Sequence, residues 1–446
     1  MAVKQVFNTS AELDFPNVLP TLDLDFANSK TLDPRITFTR SSGGSYVGAD
    51  GLIKLAGVNE ARFDHNPVTG ESLGLLIEEQ RVNNYHTWNS TTDSSSSITP
   101  AYIDTQIVSS VLTPRGLPAT AYTATKTGNT NQYHGLGGPA TSFSISSNTS
   151  ISASAYIKDF NNTDYRLLFV ISAYNVSTNN NRYILYRARP LTGKWDGGSA
   201  DSRWTVTLNV KNVGNGWYRF EISGTNTYEA GWDKINFSFQ LMNEKNQQFY
   251  DPPTANTHGI YLSSPQYELG SFPTSYIPTS GSTVTRAADS ASITGKNFSE
   301  WYRQDEGTFY ADAFYKDNVT NTRLFFTENT SIGFNSRHGI VGGTTSGGVG
   351  PYGETFINAV SQAFLNYGVA TKNTNYKAIY AYKESDFGFT INGLPVLTDN
   401  NGKLNLNQNI AHIGGRTTTA SLSSTIKSIK YFPKRLPNSQ LQALTS

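Results

Sequence analysis

The 446-residue sequence contains no cysteine, which excludes disulfide bonds, thiolate metal ligands and cysteine nucleophiles. An excess of either charge is also missing, because 35 Lys and Arg residues stand against 34 Asp and Glu residues and the formal net charge is +1. Without a global basic or acidic field, electrostatics gives no reason to expect nucleic acid or an anionic membrane as a partner. Charged residues make up only 15% of the chain, against about 25% in an average soluble domain.

Long apolar runs are absent as well. No stretch approaches the ~18 residues that a membrane-spanning helix requires, and the first seven residues lead into Asn, Thr, Ser and Glu rather than into the apolar segment of a secretory signal. We therefore expect a protein that is made in the cytoplasm and does not insert into a membrane. Neither a short fixed-period repeat nor a heptad pattern is present, so solenoids and coiled-coil stalks are not expected.

Alternation of apolar and polar residues is what the sequence has in abundance. Residues 235–241 (INFSFQL) place an apolar side chain at every second position, as in a strand with one buried face, and similar segments recur between clusters of Gly, Asn, Asp and Pro. This spacing predicts an all-β chain of sandwiches rather than βαβ units. The alternating residues 387–391 run into Asn392-Gly393, a pair that tolerates positive φ and predicts a hairpin with a type I′ turn.

Two changes in composition divide the chain. A Ser- and Thr-rich stretch at residues 89–99 follows the apolar residues 73–77, and residues 272–294 combine two prolines with many small polar residues. The second stretch predicts an extended connector that lies on a surface. We therefore predict three consecutive parts, with these bounds: residues 1–85, residues 86–294 with the connector at their end, and residues 295–446.

The motifs of the first part resemble the N-terminal module of many virion proteins of tailed bacteriophages. These motifs are LDLDF at 22–26, LDPRITFTR at 32–40, DGLI at 50–53, ARFD at 61–64 and GLLIE at 74–78. The resemblance implies a small β module that docks the protein to the virion.

The rest of the chain continues this resemblance. GWYR at 216–219, QYELG at 266–270, PTSYIPT at 273–279 and TRAAD at 285–289 are similar to motifs of phage jelly rolls that resemble carbohydrate-binding modules. The C-terminal part, with its hairpin and the closing residues 426–444, is similar to concanavalin-like or laminin-G-like sandwiches. The expected architecture is a small N-terminal β module, a jelly roll and a second sandwich.

The resemblance implies a location on the virion surface, in a tail fibre, a head fibre or a capsid decoration. It further implies other virion proteins as partners, host-surface polysaccharide as a ligand and a homotrimer as the assembly. Jelly rolls of this type often hold a structural Ca²⁺, which the resemblance leaves open without naming ligands; no other cofactor is expected. Because such modules occur at several places on a particle, the resemblance does not fix the place on the virion.

A candidate carbohydrate site lies between two tryptophans. The apolar C–H face of a sugar stacks on an aromatic ring, and its hydroxyls need polar groups at the rim of the site. Trp195 and Trp204 bracket a segment that combines glycines with charged residues, so we predict a glycan site made of both tryptophans and four polar or aromatic neighbours: Tyr183, Tyr186, Arg187 and Asp196. The alternative is that both tryptophans pack into the sandwich or into a subunit interface. Trp217, in a strand motif, is expected in the core.

No catalytic residues are predicted. Asp23 and Asp25 face the same way on a strand, but they also fit an edge strand that carries charge. None of the six histidines occurs at metal-ligand spacing, and residues 399–402 predict a turn. We therefore expect a non-enzymatic fibre or receptor-binding protein. A structural decoration protein is the alternative, and a glycan-cleaving enzyme, which commonly carries a β-helix of regular repeats, comes third.

Overall fold

A computed structural model describes residues 18–95, 102–137, 140–141, 148–175, 177–226, 234–315, 323–342, 344–345, 348–368, 373–416 and 423–446. Strands dominate these residues, and their three helices are short, which confirms the all-β prediction. The helices are α1 (Phe26–Ser29), α2 (Lys296–Ser299) and α3 (Asn438–Thr445). None of the helices in the described ranges has the length and apolar character needed to cross a membrane.

Nine strands lie between residues 22 and 95. They are β1 (Leu22–Asp25), β2 (Thr37–Thr39), β3 (Gly44–Val47), β4 (Ile53–Ala56), β5 (Phe63–His65), β6 (Ser72–Ile77), β7 (Arg81–Asn83), β8 (Trp88–Asn89) and β9 (Ser94–Ser95). The middle part contains β10 (Ile103–Leu112), β11 (Pro118–Ala124), β12 (Gly135–Leu136), β13 (Ala140–Thr141), β14 (Ser150–Phe160), β15 (Arg166–Asn175), β16 (Asn180–Arg189), β17 (Lys194–Ala200), β18 (Trp204–Asn212), β19 (Trp217–Asn226), β20 (Lys234–Met242) and β21 (Gly259–Leu269).

The remaining strands begin within the connector. They are β22 (Val284–Arg286), β23 (Ser290–Thr294), β24 (Glu306–Tyr315), β25 (Arg323–Asn329), β26 (Gly333–Val341), β27 (Thr344–Thr345), β28 (Gly348–Val349), β29 (Tyr352–Ile357), β30 (Val360–Asn366), β31 (Thr374–Lys383), β32 (Phe387–Ile391), β33 (Leu397–Asp399), β34 (Ile410–Ile413) and β35 (Ser424–Phe432).

The middle part has the topology of a jelly roll. One sheet has the order β10-β11-β21-β14-β19-β18, and the facing sheet has the order β12-β20-β15-β16-β17, with β13 also paired to β20. The edge strands β10, β17 and β18 are set aside, and β12 and β13 count as one strand. The eight strands that remain, β11 to β16 and β19 to β21, are numbered 1 to 8 in chain order. The two sheets then have the orders 1-8-3-6 and 2-7-4-5. This is the double Greek-key order of an eight-stranded jelly roll, which confirms the predicted fold of this part.

Alternating side chains fill the space between the two jelly-roll sheets. Phe237 and Phe239 of β20, at most 1% exposed, pack there as the period-two pattern predicts. Trp217 is 2% exposed, so its prediction as a core residue is confirmed. It packs in a smaller cluster on the other face of its sheet, together with Tyr261 and with Ile53 of the N-terminal segment.

Strands from both ends of the chain build the second sandwich. Its eight-stranded sheet has the order β33-β32-β31-β24-β35-β6-β5, with β1 also paired to β35, and its seven-stranded sheet has the order β2-β23-β34-β25-β26-β29-β30. We call residues 22–77 together with residues 290–432 the composite sandwich. The jelly roll is inserted between β7 and β22, which pair with each other.

The N-terminal segment therefore differs from the separate module that we predicted. Leu24 and Leu75 lie in the same apolar core as Phe309 and Tyr431, and each of the four is at most 2% exposed. The division at residue 85 marks where the chain enters the jelly roll rather than where an independent module ends. The partners of β1 and β6 on β35 are more than 340 residues away in the sequence, so local motifs contain no signal of this pairing.

The connector also differs from its prediction. Tyr276, Ile277 and Thr279 are at most 3% exposed, so the PTSYIPT part of the connector is largely buried rather than spread over a surface, whereas residues 280–283 are exposed. Residues 270–283 contain no strand and lead from β21 to β22. By contrast, the predicted hairpin is confirmed: Asn392 and Gly393 have φ of 46° and 71°, and the Leu394 N–H donates to the Ile391 carbonyl over 2.9 Å.

Candidate carbohydrate-binding site

The strand β16 divides the predicted site residues between two faces. Ile184 and Ala188 point into the jelly-roll core, and Tyr186 packs against that core from the same face. Tyr183, which is 43% exposed, and Arg187 lie at the opposite parity and face outward. The six predicted residues therefore do not form one site.

Both tryptophans lie on strands. Trp204 begins β18, packs in the jelly-roll core and is only 9% exposed, so it has no face to offer a sugar ring. Trp195 lies on β17 with its ring edge-to-face against Phe169 and Phe220, at centroid distances of 5.1 and 5.3 Å. The Trp195 Nε1–H donates to the Asn209 carbonyl over 3.0 Å. These contacts favour the alternative interpretation, in which both tryptophans pack in the sandwich.

Asp196 belongs to a cluster of ion pairs beside β16. Its carboxylate accepts from Nε of Arg166 over 3.0 Å. Asp164 accepts two hydrogen bonds from Arg189, at 2.8 and 2.7 Å, and its pKa is lowered mainly by this interaction. The Asp196 side chain is therefore part of the charge pairing of the sheet edge, and its role as a direct sugar ligand is not favoured.

The outward face of the same sheet contains an open cleft of about 340 Å³. Leu168, Leu185 and Met242 supply apolar surface from three neighbouring strands, β15, β16 and β20. Phe249, which is 55% exposed, lines the cleft from the segment after β20. Polar groups complete the lining: Arg187, Ser199 and residues 246–248. We refer to this feature as the cleft.

The polar wall of the cleft is held in place by its own hydrogen bonds. Asn243 Oδ1 accepts from the backbone N–H groups of Lys245 and Gln247, at 3.0 and 2.9 Å, and Asn243 Nδ2 donates to the Gln247 side chain over 2.7 Å. Nε2 of Gln248 donates to Oε1 of Gln240 on β20 over 2.8 Å. The turn therefore presents its amides in a fixed arrangement, which limits the entropy lost on binding.

A glycine allows Arg187 to lie against the neighbouring strand. The Arg187 Nε–H donates to the Asp196 backbone carbonyl over 2.8 Å. Gly197 has φ of 73°, and a Cβ at this position would lie 2.7 Å from Nη2 of Arg187. The missing side chain thus leaves room for the guanidinium beside β17.

The lining of the cleft suits a sugar. An exposed ring can stack on a pyranose face, while amide and guanidinium groups can bond its hydroxyls. Of the predicted residues, only Arg187 lines this cleft. Sequence reasoning missed Phe249, although the run of polar residues 243–248 directly before an aromatic residue was the available signal.

A second polar cluster, which we call the buried junction, joins the composite sandwich to the connector. Arg62 bonds Glu78 at 2.7 Å and Asp289 at 2.5 Å, and Arg40 bonds the other oxygen of Asp289 at 3.0 Å. Arg286 lies 3.0 Å from Glu78, and all of these side chains are at most 5% exposed. Burial alone would raise the pKa of Glu78, but Arg286 and Arg62 hold that pKa far below its usual range.

The junction continues into the jelly roll. Ser275 donates its hydroxyl to Glu78 over 2.6 Å, and the Thr274 N–H donates to the Glu268 carboxylate over 2.8 Å. Arg219 of β19 donates to the Thr274 carbonyl over 2.5 Å. The motifs ARFD, GLLIE, GWYR, QYELG, PTSYIPT and TRAAD thus all contribute to one buried polar network, where each charge finds a partner.

The remaining titratable groups singled out in the sequence have structural contacts. Asp23 pairs with Lys430 on the neighbouring strand at 2.7 Å, and Asp25 accepts from the Asn28 N–H at the start of α1. Across the described ranges, no group of three or more His, Asp or Glu side chains is arranged to hold a metal ion.

Comparisons with known proteins give a remote structural likeness. No protein-family model and no curated protein matches the chain. Among solved structures, the chain is similar to the sialidase of Trypanosoma rangeli in complex with the inhibitor DANA, at 8% identity and a TM-score of 0.25, over 75% of this chain and 67% of that chain. So remote a likeness assigns no activity and no site.

Proposed function

We propose that this chain is a non-enzymatic surface protein of a tailed-bacteriophage virion. In this proposal it is a fibre or receptor-binding component, and its jelly roll contacts host-surface glycan. The virion assignment rests on the resemblance of its sequence motifs to those of phage virion proteins. The glycan assignment rests on the cleft, which is the observation that carries the function.

The cleft supports binding rather than cleavage through the chemistry of its lining. Its described residues provide aliphatic, aromatic, amide, hydroxyl and guanidinium groups. Most enzymes that hydrolyse a glycosidic bond use a pair of carboxyl groups placed on either side of that bond. Groups of the kind found in the cleft hold and orient a sugar instead.

Affinity at such a site is expected to be weak for each copy, because an open, wet cleft exchanges hydrogen bonds with water for hydrogen bonds with sugar. Several copies on one particle would raise the avidity without any new contact. We therefore propose a homotrimer that binds other virion proteins, with the glycan-binding jelly rolls presented at the virion surface.

The test is binding of fluorescently labelled, purified protein to a panel of bacterial strains. Wild-type protein should label some strains and not others, and Phe249→Ala should lose this labelling because it removes the stacking face. Phe364→Ala is the matched control, since Phe364 is a 37% exposed phenylalanine on β30, in the composite sandwich. Absence of labelling by folded oligomer on every strain, or full labelling by Phe249→Ala, would overturn the proposal.

A structural decoration protein is the second candidate, and one observation favours it. Strand β10 ends a jelly-roll sheet and exposes Ile107 to 69% and Leu112 to 53%. A long sheet edge with exposed apolar residues can pair with a neighbouring subunit. If the protein is a decoration protein, adding it to particles assembled without it should raise their thermal stability. The Ile107→Lys variant should not have this effect.

A further inference from the structure

Among the residues that the structure describes, Arg187 has no carboxylate partner, unlike the other arginines. Every other arginine in the described ranges has a carboxylate oxygen within 3.9 Å. Arg187 has no carboxylate partner among the described residues, and its one hydrogen bond goes from Nε to a backbone carbonyl. In a chain that neutralises its guanidinium groups so consistently, this exception lines the cleft.

The neighbouring carboxylates on the sheet are engaged elsewhere. Asp196 pairs with Arg166, Asp164 pairs with both Arg166 and Arg189, and Asp201 pairs with Arg182. Within the described ranges, no carboxylate compensates the charge of the half-buried Arg187, which lies beside apolar surface, where attraction to an anion is stronger than in bulk water.

The geometry of the guanidinium leaves its outer edge for a ligand. Because Nε is fixed by the Asp196 carbonyl, the two Nη groups remain as a planar pair of donors. Such a pair matches the two oxygens of an anionic group in a bidentate contact. Phe249 lines the same cleft and provides the face on which the sugar ring would stack.

We propose that the cleft selects acidic glycans, with Arg187 binding an anionic substituent of the sugar that stacks on Phe249. This inference rests on the proposed function and adds the chemical class of the ligand. A uronic acid carboxylate and a sugar phosphate share the required chemistry, and selective removal of each anion separates them.

The experiment uses the full chain and an array of purified bacterial polysaccharides that includes neutral, uronate-containing and phosphate-containing members. Arg187→Met keeps the aliphatic stem and removes the charge, and Lys194→Gln removes an equal charge from an exposed position on the adjacent strand outside the cleft. Polysaccharides that bind are tested again after chemical reduction of their carboxyl groups to alcohols or after removal of their phosphates.

We expect wild-type protein and Lys194→Gln to bind acidic members and Arg187→Met to bind them roughly 10- to 100-fold more weakly, as loss of a charge-assisted contact implies. Carboxyl reduction or phosphate removal should abolish binding and identify the anion. Equal binding to neutral and acidic members, or unchanged binding by Arg187→Met, would overturn this inference and leave the glycan-binding function standing. Failure to bind any member would count against the glycan-binding function itself.

Discussion

The buried junction and the cleft both contain arginine, but the groups that face each arginine differ. In the junction, Arg62 lies between Glu78 and Asp289 and is fully enclosed. In the cleft, Arg187 meets one backbone carbonyl and an apolar surface. The comparison teaches that the partner, not the residue type, separates an arginine that holds the fold together from one that is available to a ligand.

Breaking the junction should have the largest effect on stability. Asp289→Ala leaves Arg40 and Arg62 buried without their shared carboxylate, and we expect a loss of about 3–5 kcal/mol in the free energy of unfolding. Urea denaturation measures this loss. Asp305→Ala, which removes an exposed partner of Arg303, should cost less than about 1 kcal/mol. Similar losses in the two variants would contradict the structural role of the junction.

Trp204 also belongs to the residues that stabilise the fold rather than to those that are available to a ligand. Trp204→Ala should destabilise the protein by about 3–5 kcal/mol, because it removes a large side chain from the jelly-roll core. Thermal or urea unfolding followed by circular dichroism measures this change. A loss of glycan binding without a loss of stability would indicate that Trp204 contacts the glycan, and it would contradict the assignment of Trp204 to the core.

Acid should lower the stability of the fold without changing the charge of Arg187 in the cleft. Burial lowers the pKa of His338, in the composite sandwich, to about 4 from an ordinary 6.5. Between these pH values the unfolded state binds more protons, so the stability from this group is complete above about pH 6.5 and falls toward pH 4, by up to roughly 3 kcal/mol.

Unfolding curves at several pH values measure this slope, and His338→Gln should flatten it. Arginine does not titrate in this range, and a uronate or a sugar phosphate keeps its full charge above about pH 7, so ligand binding through Arg187 should stay constant from about pH 7 to about pH 9 on protein that remains folded. A flat stability profile in the wild type would contradict the assignment to His338. A steep loss of binding above about pH 6 would contradict the role of arginine.

The smallest expected change in stability belongs to Phe249→Ala. Its side chain is 55% exposed, so truncation should cost less than about 1 kcal/mol while it removes the stacking surface of the cleft. Melting temperature and polysaccharide binding, measured on the same preparation, test this separation. A large drop in melting temperature would show that Phe249 serves packing and would remove the aromatic element of the proposed site.

The features of the fold that could be predicted are those that depend on local sequence patterns. Alternation along residues 235–241, the core position of Trp217 and the Asn392-Gly393 turn depend on neighbouring residues, so the sequence contains their signals. The pairing of β1 and β6 with β35 joins segments more than 340 residues apart and has no local signal. For this reason the composite sandwich could not be anticipated.

The candidate site was predictable only in part, for a specific physical reason. Tyr183, Tyr186 and Arg187 were grouped by closeness in sequence, but a strand sends residues of opposite parity to opposite faces. Once residues 180–189 are known to form a strand, Tyr186 separates from the other two. Phe249 reaches the cleft from a segment about 60 residues later, so only the fold brings it near Arg187.

The most direct test of the central claim is hydrogen–deuterium exchange of the full chain with and without a polysaccharide fragment identified on the array. We predict slower exchange in residues 243–249, which include the cleft-lining residues 246–249, and unchanged exchange around Trp204. Protection confined to other parts of the chain, with residues 243–249 unaffected, would contradict the assignment of the cleft as the glycan site.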